Sequence, residues 1–419
     1  MNLLLVIPLF AAGIVVSSLT SFVLGRVFFA FALVTPLIFL ALFGVGALRR
    51  LQTLQVLFVL MYFLAFSRAL FAGTISFYQF LADMLIVGGV ILTANYSAWR
   101  FGVARSVYLL AASFALFQVI NITLTAVGLS VLDGSQSSQV ESIYAAGLRV
   151  SASLSGSFTA TSLEGVIAIA AGVCLVGYAS KEKASGFGGL VGIVLGLFCF
   201  VAGCVGLYLG GNRAAILGGI ILLMHWALRV KSKRINRVVV SGILLFPFIY
   251  LLILPALESG VLDNVFIDFS RGGIEEVLSL NNRTFIWLIS LTHFISNAEL
   301  INWFIGYGHY GQVASGVLER YQFIFMENHT SIAKISLHSA FLQALYNFGA
   351  LGIFLYGVAI LRALSALEQP ALEKFMPLLL GLLWAGTVEV AIININVIWV
   401  MFHLVLFLMM TPRGRRGRH

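Results

Sequence analysis

An all-α, polytopic membrane protein is what this sequence predicts, and three observations predict it. Hydrophobic residues make up 60% of the chain and charged residues only 10%, a balance outside the range of ordinary soluble domains. The mean hydropathy is +1.03. The apolar residues are also grouped: windows of about 20, enough to cross roughly 30 Å of hydrocarbon as helix, open at Leu3, Phe28, Val56, Tyr78, Val107, Leu163, Phe187, Ala214, Val238, His338, Phe375 and Val397. The expectation is about twelve transmembrane helices in one integral membrane domain, residues 1–419. No charged segment precedes the first window and no small-residue cleavage site follows it, so it reads as a helix and not a signal peptide.

Loop charges orient the helices. Arg49, Arg50, Arg100, Arg105, Lys181, Lys183, the run Arg229, Lys231, Lys233, Arg234 and Arg237, then Arg362, Lys374 and the tail Arg413, Arg415, Arg416 and Arg418 fall in alternate loops. Cations concentrate on the cytoplasmic side, so these loops and both termini are expected there. The net charge of +9 then serves orientation and contact with anionic lipid, and nucleic acid is not an expected partner. Two stretches interrupt the alternation on the outer side, a smaller loop at 130–162 and a large one at 257–337. The large loop is rich in Trp, Phe and Tyr, unlike a disordered linker. Its run from Asn282 to Ile305 has the pattern of an interfacial helix, part of a cap lying on the membrane surface.

Eight cations are left on the outer side: Arg26, Arg68, Arg149, Arg213, Arg271, Arg283, Arg320 and Lys334. Misplaced positive charge beside Gly, Asn and His points to an anionic substrate. Arg213 follows Gly210, Gly211 and Asn212 at the start of the eighth window, with Leu217 one turn on; a guanidinium there opposes the helix dipole unless an anion compensates it, although an arginine snorkelling to the headgroups would look the same. Asn281, Asn282, Arg283 and Thr284 suit a capped helix start, where backbone N–H groups and an arginine fork together cradle an anion. Tyr307 and His309 lie in Gly306-Tyr-Gly-His-Tyr-Gly311, a turn with aromatic faces suited to sugar rings or simply to turning the chain.

His338 and Ser339 open the tenth window, and Gly349 and Gly352 lie 11 and 14 residues beyond the histidine. On a continuous helix these offsets bring both glycines back near the face of His338, giving a polar tip above a smooth groove. A histidine in a first turn is biased to the neutral form that accepts a proton. Glu319, Glu327 and Glu389 are alternative bases on the same side. No His, Cys and carboxylate set has metal-ligand spacing, so no metal and no cofactor is expected. Cys174, Cys199 and Cys204 fall inside apolar windows and read as packing residues.

This ordered set, Arg213-x-x-x-Leu217, Arg283 in a large external loop, and His338-Ser339 followed at fixed distance by Gly349-x-x-Gly352, resembles the O-antigen ligase and polymerase superfamily, bacterial inner-membrane glycosyltransferases of GT-C type. The similarity covers roughly Arg149 to Leu361, including Ser155 to Thr159 and the spacing of Arg149 to Gly165. The resemblance implies a GT-C-like helical fold and transfer of a glycan from undecaprenyl diphosphate to an acceptor hydroxyl on the periplasmic side. It implies that Arg213 and Arg283 hold the diphosphate and that His338 takes part in transfer; Arg149, Asn282, Tyr307 and His309 are further candidates for glycan or diphosphate binding. Lipid A core is the acceptor for a ligase and a lipid-linked glycan for a polymerase; the residues do not separate the two. A transporter or flippase of lipid-linked glycans is the alternative, disfavoured because no internal repeat is visible, with a non-catalytic scaffold behind it.

Overall fold

A computed structural model of the chain describes residues 51–127, 158–181, 187–228, 232–258, 283–325, 336–367 and 372–411. The windows opening at Leu3 and Phe28, most of the 130–162 loop, Arg149 and Asn282 lie outside the described residues. All regular structure among those described is helical. Each of the ten remaining windows coincides with a helix: α1 (Thr53–Phe71), α2 (Phe77–Phe101), α3 (Val103–Ala126), α4 (Phe158–Lys181), α5 (Phe187–Gly210), α6 (Arg213–Ala227), α7 (Lys233–Glu258), then, past α8 (Arg283–Asn297) and α9 (Leu300–Ile305), α10 (Ala340–Leu367), α11 (Met376–Val388) and α12 (Val397–Met410). Seven of these, α1 to α5, α7 and α10, are long and apolar enough to cross a membrane. The others are shorter, α6 with 15 residues, α11 with 13 and α12 with 14.

Burial sorts the bundle from inside to outside. In α4, 83% of the apolar window is buried, against 22% in α7, so α4 is central and α7 peripheral. Glycine sets how closely α4 and α5 approach: a Cβ at Gly172 would meet the Gly196 carbonyl at 2.6 Å, and one at Gly203 would meet the Gly165 carbonyl at 2.7 Å. Small residues at such seams let helix backbones touch where lipid offers no hydrophobic drive for association.

The ends of α11 shape the site. At 1.5 Å per residue its 13 residues span about 20 Å, short of a bilayer core. The connection to α12, residues 389–396, is not helical, yet Val390, Ala391, Ile392 and Ile393 are all buried. Irregular backbone at such depth needs protein around it. Here Asn396 caps α12 by accepting from the Trp399 N–H at 2.9 Å, and Thr387 donates to the Ile243 carbonyl at 2.9 Å, tying the last turn of α11 to α7.

Two expectations from sequence change. The described part of that run, 283–305, forms two helices, α8 and α9, separated at Ala298 and Glu299. One face of α8 buries Ile286, Trp287, Ser290, His293 and Phe294, and the other exposes apolar Phe285, Leu288 and Ile295 together with polar Thr292, Ser296 and Asn297. The groove below His338 is also absent. His338 precedes the first residue of α10, and Gly349 (φ 64°, ψ −159°) breaks α10 into two segments, so helical periodicity does not run from one to the other. Both flanking glycines are packing points: a Cβ on Gly349 would lie 2.5 Å from the Phe304 backbone, and Gly352 seats the Phe348 ring.

Candidate active site

Three elements bring one residue each to a common point. Arg283 opens α8, His338 lies in the segment leading into α10, and Glu389 immediately follows α11. An Arg283 Nη2 donates to Glu389 Oε1 at 2.6 Å, and His338 Nδ1 lies 2.9 Å from the other carboxylate oxygen, Oε2. The side chains are 15%, 24% and 15% exposed for Arg283, His338 and Glu389. That is sheltered enough to strengthen charge interactions and open enough for a ligand to reach. Burial raises the pKa of Glu389, but the positive charges of His338 and Arg283 and their hydrogen bonds outweigh it, holding the carboxyl down at about 2. It is a fixed anion throughout the physiological range.

The backbone of His338 is unusual. Its φ of 49° places a non-glycine residue in the left-handed region, at a cost of order 1 kcal/mol that surrounding structure must offset. The neighbours supply that support. The Trp287 indole donates to the Leu337 carbonyl at 3.1 Å and the Leu337 N–H donates to Gln343 Oε1 at 3.3 Å. Gln343 Nε2 then donates to Gln312 Oε1 at 2.7 Å and to Asn347 Oδ1 at 2.9 Å, and the Gly311 N–H reaches the same Asn347 oxygen at 3.0 Å. A buried amide chain therefore fixes the turn that aims His338 at Glu389. The first-turn placement expected for this histidine is corrected: Ala340 is the first residue of α10, and the charge facing the ring is a carboxylate, not a helix dipole.

Arg213 stands on a fourth element. It is the first residue of α6, capped by Asn212, whose side chain accepts from the Ala215 N–H at 3.2 Å. Trp384 of α11 donates to the Ala214 carbonyl at 2.7 Å, so Arg213 starts its helix beside the end of α11 that carries Glu389. Tyr307 and His309 are not brought to the cluster. The His309 ring is fully buried against Phe66 and Tyr310, and the backbone N–H of His309 donates to the Ala65 carbonyl of α1 at 3.0 Å. Tyr307 stacks on Tyr346, and the glycines around them meet backbone: a Cβ on Gly306 would fall 2.5 Å from the Asn347 carbonyl carbon. This turn packs α1 to α10; it is not an open aromatic platform. Of the alternative bases, Glu319 is exposed on a single-turn helix and Glu327 lies outside the described residues.

Among the described residues no group of three or more His, Cys, Asp or Glu side chains is placed to hold a metal ion. Chemically, the arrangement pairs a carboxylate with an imidazole, the logic by which a third group orients a base. With Nδ1–H donating to Glu389, a neutral ring has Nε2 as its basic nitrogen. Sequence reading passed over Glu389 as one of three carboxylates, although it is the only acidic residue after Glu373. The sequence shows Trp287 only as an aromatic residue after the Arg283 helix start and gives no role to Gln343, because nothing local marks a residue that acts by holding another. No protein-family model matches this chain, and no curated protein does.

Proposed function

We propose that the chain is a membrane glycosyltransferase of the O-antigen ligase or polymerase kind, taking a glycan from undecaprenyl diphosphate on the periplasmic face of a bacterial inner membrane. The observation that carries this reading is the convergence of His338, Glu389 and Arg283 from three separate elements, because sequence separation of 51 and 106 residues makes such a meeting hard to ascribe to local packing. Seven helices long and apolar enough to cross a membrane support the reading, since an enzyme acting on a lipid-linked donor works within the bilayer.

The reaction is a direct displacement. The acceptor hydroxyl attacks the anomeric carbon while His338 Nε2 takes its proton; the bond to the diphosphate oxygen breaks, the electron pair leaves with undecaprenyl diphosphate, and configuration inverts. Glu389 holds the ring and stabilises the imidazolium that forms. Arg283 has five N–H donors, so the one bonded to Glu389 leaves others to meet the diphosphate, and Arg213 supplies a second cation to the charge that develops on the leaving group. The salt bridge also explains why an arginine stands here and not a lysine: only a planar fork serves a carboxylate and a phosphate together. The test is to purify the protein, supply a lipid-linked repeat unit with lipid A core or with a second lipid-linked glycan, and identify the product. A product with either acceptor establishes transferase activity and names the acceptor; movement of the donor across a vesicle bilayer with no product would replace this reading with a flippase.

A further inference from the structure

We infer that Trp384 is a positioning residue, one that sets where Arg213 stands relative to the Arg283, Glu389 and His338 cluster. The inference rests on the transferase reading for its purpose, but its geometry stands independently. Arg213 is the first residue of α6, and a helix start is prone to fray because its first N–H groups have no intrahelical partners. Two bonds pin this start from outside the helix. The Asn212 N–H donates to Ser162 Oγ of α4 at 3.2 Å, and the Trp384 indole N–H donates to the Ala214 carbonyl at 2.7 Å. The first fixes the start to the bundle centre. The second ties it to α11, five residues before Glu389.

The contact is built, not incidental. Trp384 is 5% exposed, and its ring lies over Gly218, one turn into α6, where any Cβ would collide with indole atoms Cδ1 and Nε1. A glycine inside a helix costs stability relative to alanine, and here its bare face is what admits the indole. A buried indole N–H also needs an acceptor, and the carbonyl it finds belongs to the residue directly after Arg213. Indole, glycine and carbonyl thus fix the height and rotation of α6 against α11. The two arginines proposed to grip one diphosphate are on different helices, and this clamp sets the gap between them.

The test uses the full-length protein with its native cysteines replaced and spin labels at Ile216 on α6 and Phe285 on α8, both exposed. Their separation, measured by electron–electron double resonance, should be narrow with Trp384 and broader or shifted with Trp384→Phe, which keeps an aromatic ring and removes the N–H. Gly218→Ala, which leaves Trp384 intact and displaces its ring, should do the same. Unchanged distributions in both variants would overturn the positioning role whatever the protein catalyses. In transfer assays Trp384→Phe should raise the donor KM about five- to tenfold, the scale of one buried hydrogen bond. In an Arg213→Ala background the same change should add less than twofold, since a residue acting through Arg213 has nothing left to position. Equal losses in both backgrounds would make Trp384 a general packing residue and overturn the inference.

Discussion

Two histidine networks in this molecule look alike on paper and differ in what surrounds them. His403 of α12 sits among Tyr62, Tyr356 and Trp399: its Nδ1 meets the Trp399 carbonyl at 2.9 Å, its Nε2 lies 2.9 Å from the Tyr356 hydroxyl, and the Trp399 indole donates to Tyr62 at 2.9 Å. Tyr62, Trp399 and His403 are fully buried and Tyr356 nearly so, and every partner is neutral. His338 instead shares a carboxylate with an arginine and is about a quarter exposed. A buried, neutral, mutually satisfied network rigidifies a core. A partly open one holding net charges has an energetic cost that packing alone does not justify, and reactive groups concentrate in such places. The contrast favours reading His403 as held for stability and supports the proposal that His338 is the base.

The largest effect that could break this contrast is at His338. His338→Ala should lower transfer about 100-fold or more, the scale of losing an acid or base, while thermal stability in detergent and donor affinity stay close to those of the unchanged protein. Near-normal turnover, or loss explained wholly by donor affinity, would return His338 to a structural or phosphate-binding role. Glu389→Gln keeps the shape and removes the charge, so transfer should fall about 10- to 100-fold, with Glu389→Asp between the two; the comparison to make is kcat, since an orienting carboxylate acts on turnover more than on donor KM. Arg283→Lys and Arg213→Lys should each raise the donor KM about tenfold, because an ammonium lacks the bidentate fork; if lysine restored full activity at both positions, the fork argument would be refuted.

His403→Ala is the matching control with the smallest effect on chemistry. It should cost about 3 kcal/mol of stability through the cavity and the one tyrosine hydroxyl of the bonded Tyr62–Tyr356 pair left without an acceptor, yet leave transfer per folded molecule within about twofold. A steep loss of turnover in protein shown to be folded would erase the distinction between the networks. Acid separates them as well. The Glu389 carboxyl is held at about 2 against an ordinary 4.5, so this group stabilises the fold above its unfolded value and loses that contribution as pH falls through the folded one. The melting-temperature gap between the unchanged protein and Glu389→Gln should shrink as pH falls below about 4.5 and close near 2; a gap that did not change over that acid range would mean that the carboxylate is not held by its charged neighbours.

How much was legible follows from the range over which each cue acts. Helix positions were legible because span length and apolar content are properties of contiguous residues: all ten windows that fall among the described residues are helices. Arg283 and His338 were legible because an arginine at an Asn- and Thr-flanked helix start and a histidine at a helix entry stand out in so apolar a chain. Glu389 was visible only as one carboxylate of three. Tyr307 and His309 were ambiguous for the opposite reason: glycine alternating with aromatic residues suits both a sugar platform and a tight packing turn, and local sequence carries no sign of the α1 and α10 backbones that the turn packs against.

By itself the sequence determined that this chain is helical and membrane-embedded, since the cost of leaving a backbone group unpaired in hydrocarbon permits little else for runs so long and apolar, and it marked two of the three residues of the cluster. Only the tertiary structure decided that α10 breaks at Gly349, that His338 takes a left-handed backbone, that Glu389 bridges Arg283 and His338, and that Trp384 clamps the helix of Arg213. The physical reason is one of distance along the chain. Hydrophobic periodicity is written residue by residue, whereas a salt bridge across 106 positions or an indole on a carbonyl 170 positions away exists only once packing has brought the helices together.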